Sequence, residues 1–241
     1  MNNVYLGIDT SNYTTSVAVV DGLGNVIADK RKLLEVKKGD RGLRQQEALF
    51  QHVKNYSQLY KETAINGKNI AAVGVSFRPR NEIDSYMPVF LAGAKFGEVI
   101  SHTLGVPLKK FSHQEGHAAC VLIDEPELSE FLLLHISGGT TELISVRNER
   151  DNLYTTVIGG SLDISIGQLV DRTGVAMGYG FPSGSEMEAD SSKGRLITND
   201  FNFNIADGWV NLSGFENRFK SFIIDGHKRE DISFTLFELI A

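Results

Sequence analysis

The run His113-Gln114-Glu115-Gly116-His117 sets two imidazoles at positions i and i+4. On a helix these are neighbours on one face, about 5–6 Å apart at Cβ. Neutral imidazole nitrogens so placed can grip a single metal ion. The bland alternative is two histidines on a solvated helix face. Only six histidines occur in 241 residues, and two of them at chelating spacing favour the metal reading. Glu115 stands two positions from each histidine and so points away from their face. That separates the run from His-Glu-x-x-His, where the glutamate is the general base of a zinc protease.

Two turns could hold a phosphate. Asp9-Thr10-Ser11-Asn12 offers amides and hydroxyls, with Asp9 available to a magnesium ion. Ser137-Gly138-Gly139-Thr140 offers the same, its glycines permitting close backbone approach. Each alone reads equally well as an ordinary β-turn; as a pair in matching places of two halves they suggest a nucleotide. Asp171 and Glu188 bracket the glycine-rich loop Gly178–Ser185. Carboxylates beside such backbone often accept sugar hydroxyls, although Arg172 next to Asp171 makes a surface ion pair the competing account.

The elements that must position these residues follow from patterning. Val4–Ile8, Ser16–Val20 and Val26–Lys32 read as strands separated by turns. A helix is expected over 42–63, with Leu43, Ala48, Leu49, Val53 and Leu59 apolar, then a strand at Ile70–Phe77 and a helix at Pro88–Leu104. A similar set follows: strands at Glu130–Ser137, Thr141–Val146 and Leu153–Ile158, and helices at Ile164–Met177, Phe215–Ile224 and Glu230–Ala241, with Val210–Leu212 before the second of these. Repeated βββαβα halves predict an α/β protein of two lobes, with residues 1–109 as the first and 110–241 as the second.

Composition sets the bounds. Hydrophobic residues at 41% and charged residues at 22% are those of a globular chain. A net charge of −6 argues against tight, autonomous nucleic-acid binding, so an RNA substrate would need a local basic patch or a partner. One cysteine, Cys120, forms no internal disulfide and fits a reducing compartment. With no signal peptide and no apolar run of about 20 residues, a cytoplasmic protein is expected.

Gly7-Ile8-Asp9-Thr10-Ser11, the two-histidine run, Ser137-Gly138-Gly139-Thr140, Asp171, Phe181-Pro182-Ser183-Gly184 and Leu212-Ser213-Gly214-Phe215 occur in the order and rough spacing of one family. The chain resembles the tRNA threonylcarbamoyladenosine synthesis transferases, formerly called O-sialoglycoprotein endopeptidases or glycoproteases. The resemblance implies an actin-like, sugar-kinase-like ATPase fold, with the second lobe incomplete. It implies transfer of a threonylcarbamoyl group from an adenylate to N6 of a tRNA adenosine. It implies one divalent metal, iron or zinc, on His113 and His117, with His135 standing where some members place a metal-touching tyrosine. ATP or the adenylate, with or without magnesium, would meet Asp9, Ser11, His135, Ile136, Ser137, Gly138, Gly139, Asp171, Gly184 and Glu188.

The chain also departs from the family pattern. It stops before a Gly-Gly…Asn turn and an aspartate metal ligand. Phe77-Arg78-Pro79-Arg80-Asn81 replaces a Gly-Pro-Gly loop, and Gln168, Arg172 and Ser183 replace glutamate, lysine and glycine. A divergent paralogue is therefore expected. The alternative is a non-catalytic, nucleotide-binding partner subunit that pairs with a paralogue through first-lobe helices. A metalloprotease is a distant third.

Overall fold

A computed structural model describes residues 3–11, 13–36, 43–65, 69–149 and 152–241. They form two compact units, Met1–Ser129 with Asn148–Thr155, and Glu130–Arg147 with Thr156–Ala241. This partition differs from a boundary at 109/110, because the strand Leu108–Ser112 pairs with the first sheet and carries the next helix with it.

In the first unit, β1 (Asn3–Asp9), β2 (Thr14–Asp21), β3 (Val26–Leu33), β4 (Asn69–Arg78) and β5 (Leu108–Ser112) make one sheet in the order β3-β2-β1-β4-β5. The first three are an antiparallel meander; β4 and β5 are parallel additions reached through α1 (Gln45–Glu62) and α2 (Phe90–Leu104). Alternation in the strands sends Leu6, Ile8, Val17, Val19, Val73 and Val75 to one face, where all are buried. Tyr56 and Leu59 of α1 and Phe96 of α2 close over them, Tyr56 stacking on Phe96 at 4.1 Å. Gly97 lets α2 lie directly on the sheet, since a Cβ there would stand 2.3 Å from Val75 Cγ1. The other face carries Asp9, Ser16 and Arg31 in one cross-strand row. Helix α3 (His113–Asp124) begins immediately after β5.

In the second unit, β6 (Glu130–Ile136), β7 (Thr141–Glu149), β8 (Asn152–Ser161), β9 (Ile205–Ala206) and β10 (Trp209–Val210) run in the order β6-β7-β8-β10-β9. Helices α4 (Ile166–Ala176), α5 (Gly184–Ser191), α6 (Ser213–Ile224) and α7 (Arg229–Ile240) bury Leu169, Met187, Phe219, Ile232 and Leu236 between them. A cavity of about 270 Å³ opens between Leu134, Leu143, Leu169, Phe215 and Leu239.

Both halves start with three strands, but they are not strict repeats. The parallel addition joins the first strand in one sheet and the third in the other. Gly159 permits this, because a Cβ there would stand 2.3 Å from Gly208 O. Strand β5, helix α5 and the β9–β10 pair were not expected from patterning. Among the described residues no helix is long and apolar enough to cross a membrane.

Candidate metal and nucleotide site

Helix α3 is started by its own sequence. Ser112 Oγ accepts from Glu115 N at 3.1 Å, and Glu115 Oε2 accepts from Ser112 N at 2.6 Å. This reciprocal capping box is the work of Glu115, which is buried and bound to backbone. It fixes His113 as the first residue of the helix, one residue past the end of β5.

His113 Nδ1 lies 2.9 Å from Asp9 Oδ2, and His113 Nε2 lies 2.9 Å from His117 Nε2. With Nδ1–H donating to the carboxylate, His113 turns its Nε2 toward His117 Nε2, and one of these two nitrogens donates to the other. Asp9 is held by three donors: Ser11 N to Oδ1 at 2.6 Å, and Ser76 Oγ at 2.5 Å and His113 to Oδ2. Burial alone would raise the Asp9 pKa; the hydrogen bonds and charge of His113, then Ser11 and Ser76, outweigh it and hold the carboxyl well below the usual range. The group is a fixed anion behind the first histidine.

These residues fit a metal. Ligating histidines commonly donate their second ring N–H to a carboxylate, which fixes the tautomer. Among the described residues no group of three or more His, Cys, Asp or Glu forms a ready cage. His135 belongs to the second unit, on β6, its Nδ1 3.9 Å from Glu142 Oε2.

The turn after β1 is more committed to structure than its sequence suggested. Thr10, fully buried, donates from Oγ1 to Val89 O at 2.9 Å and accepts from Gly93 N at 3.0 Å, anchoring the start of α2. The Ser11 amide is taken by Asp9. Asn12 lies outside the described residues.

In the second unit, Ser137-Gly138-Gly139-Thr140 turns β6 into β7. Ser137 Oγ collects the amides of Gly139 at 3.2 Å and Thr140 at 2.9 Å. A Cβ on Gly138 or Gly139 would meet nothing within 4 Å. Packing inside the unit therefore does not require glycine here, and the bare backbone is open to a ligand. Gly167, the second residue of α4, is the opposite case: its Cβ would stand 2.5 Å from Ser137 O. Ser165 caps α4, accepting from Gln168 N at 3.0 Å, and donates to Gly138 O at 3.0 Å. Turn and helix N-terminus are thus one assembly, a geometry suited to an anion.

Further along α4, Asp171 Oδ1 accepts from Ser183 N at 2.7 Å, and Ser183 Oγ donates to Gly180 O at 2.7 Å. Arg172 pairs with Glu216 at 3.0 Å and not with Asp171. Gly184 opens α5, and Glu188 lies exposed on that helix. Asp163 carries a role that patterning missed. It accepts from the amides of Ile164 at 2.7 Å, Leu212 at 2.8 Å and Ser213 at 3.0 Å, so one carboxylate sits at the start of α6. Ser76 was missed as well; only the pairing of β1 with β4 brings it to Asp9.

The meander-plus-parallel sheet of the first unit and the glycine-turn sheet of the second define an α/β protein with an actin-like, sugar-kinase-like fold. Residues 54–235 match the TsaD family model, described as tRNA N6-adenosine threonylcarbamoyltransferase, and the chain belongs to that family. A curated relative of that name from Sulfurihydrogenibium sp. is 31% identical over 200 residues, 80% of this chain and 56% of its own length. One from Thermosipho africanus is 30% identical over 83% of this chain and 59% of its own. The chain thus spans a little over half the length of the curated relatives it matches. The solved structure of T. kodakarensis HypF aligns with TM-score 0.50 at 12% identity, over 98% of this chain and 38% of that one.

Proposed function

We propose that the chain takes part in moving a threonylcarbamoyl group from its adenylate to N6 of a tRNA adenosine. The observation that carries this reading is the constellation of Asp9, His113 and His117, joined to membership of the family. His113 and His117 would hold one divalent ion, iron or zinc, with Asp9 fixing the His113 tautomer. A bound metal would supply Lewis-acid polarisation of the carbamoyl carbonyl.

The remaining work falls to the chain itself. The Ser137–Gly139 turn and the capped start of α4 would receive the phosphate. Asp171, Gly184 and Glu188 would meet the nucleoside, Asp171 keeping one carboxylate oxygen on the Ser183 amide and offering the other to a hydroxyl. The acceptor amine would attack the carbamoyl carbon and AMP would leave. No side-chain nucleophile is needed.

The test is calorimetric titration with a non-hydrolysable threonylcarbamoyl-adenylate analogue. Binding that weakens in Asp171→Ala supports the reading. No binding at about millimolar analogue, an affinity of only about 4 kcal/mol, would overturn it.

A further inference from the structure

The outer edge of the first sheet has a charge opposite to that of the chain as a whole. The net charge is −6, yet β3 carries Lys30, Arg31 and Lys32 against Asp29 alone. Lys30, Arg31 and Lys32 are consecutive on β3, the edge strand. Successive side chains of a strand point to opposite faces. Lys30 pairs in register with Val17 and Lys32 with Thr15, on the face covered by α1, where both are half-buried; at the edge strand their stems are long enough to carry the ammonium groups to the rim. Arg31 pairs with Ser16, and Ser16 with Asp9.

Arg31 therefore shares a row with Asp9, on the face where His113 sits. Two strand spacings, about 10 Å, separate their backbones. Arg31 holds Asp29 in a two-pronged pair, Nε to Oδ1 at 2.9 Å and Nη2 to Oδ2 at 2.7 Å. The side chains are 69% and 40% exposed. A pair so exposed is worth little, and the same guanidinium fork matches a phosphate.

We propose that the β3 edge is the track for the sugar–phosphate backbone of an RNA whose target base enters the His113 site. This rests on the reading above, in which the acceptor is an RNA adenosine. A base splayed out of its stack to reach His113 leaves its phosphates over neighbouring strands, and β3 is the outermost strand on that side of β1. Lys30 and Lys32 at the rim and Arg31 on the face supply three phosphate contacts. Lysines on an edge strand also discourage strand-to-strand association, but that role has no salt-dependent RNA signature.

The test is fluorescence anisotropy of a labelled tRNA transcript titrated with the full chain between about 50 and 200 mM salt. Each phosphate contact contributes about 0.7–0.9 to the slope of log affinity against log salt. The variant K30Q/R31Q/K32Q is expected to flatten that slope by about two and to weaken binding about tenfold or more. K54Q/K61Q, on exposed α1 positions, is expected to change neither. An unchanged slope in a triple variant with wild-type circular dichroism and Tm would overturn the proposal. So would polyglutamate competing as well as RNA at matched charge, which would indicate an acidic protein partner. Adenylate-analogue titrations of the same samples separate the two ideas. Analogue binding with an unmoved RNA slope removes the track and leaves the reading; a flattened slope with no analogue binding by the wild type does the reverse.

Discussion

Asp9 Oδ2 lies 2.9 Å from His113 Nδ1, although 104 residues separate them. The contact joins the end of β1 to the first residue of α3, and it decides which nitrogen of His113 faces outward. Asp9→Asn keeps the shape but removes the charge that holds the tautomer. Zinc affinity measured by calorimetry on the metal-free chain is expected to fall about 10–100-fold, and Tm to fall as well, since the charged carboxylate also stabilises the fold. Equal affinity in the two proteins would show that Asp9 does not orient a ligand.

Gly167 is expected to be intolerant of even one methyl group. Its Cβ would press on Ser137 O at 2.5 Å and on Gly138 Cα at 2.7 Å, both backbone atoms. Gly167→Ala should cost about 1–3 kcal/mol by overpacking, read as a lower urea midpoint. Gly138→Ala, in open space, should leave the midpoint in place and weaken only the binding of the adenylate analogue.

Thr10→Val tests the anchor of α2. The substitution preserves volume but leaves Val89 O and Gly93 N without their buried partner. A loss of about 1–3 kcal/mol is expected. A stability change below measurement error would show that these groups find other partners.

Acid sensitivity should trace in part to Asp163. Desolvation raises its pKa, and the hydrogen bonds from Ser213, Leu212 and Ile164 lower it further than that, leaving the carboxyl below its ordinary range. With the folded pKa below the unfolded one, the stabilisation is complete above about pH 4 and is lost as pH falls through the folded value. Asp163→Asn should therefore lower stability at pH 7 and narrow its gap to the wild type under acid. Parallel pH profiles would mean that the charge of Asp163 contributes nothing.

Strong periodicity made much of the fold legible. The alternating apolar residues of β1, β2 and β4 fall where patterning put them; on α1 Ala48 and Leu59 are buried as expected, but Val53 faces outward, Leu43 precedes the helix, and the buried face is completed by His52, Asn55 and Tyr56. Strand β5 was hidden because Leu108-Lys109-Lys110-Phe111-Ser112 is an edge strand with few apolar side chains to show. Helix α5 buries only Met187 and follows Pro182-Ser183, so it read as loop. At the site, the histidine spacing was plain, and Ser112-x-x-Glu115 carried a capping signal that the comparison with zinc proteases obscured. The partnership of Asp9 with Ser76 and His113 was not legible, because register between distant strands sets it.

The seating of Gly167 on Ser137 and Gly138 has a mechanical consequence. Gly167 and Asp171 are about one helical turn, roughly 6 Å, apart along α4, and Asp171 is tied to the Ser183 amide. A displacement of the glycine turn is thus carried by a rigid rod to the loop that opens α5. The two ends of the candidate adenylate site in this unit cannot adjust separately, and a ligand that fills one end presets the other.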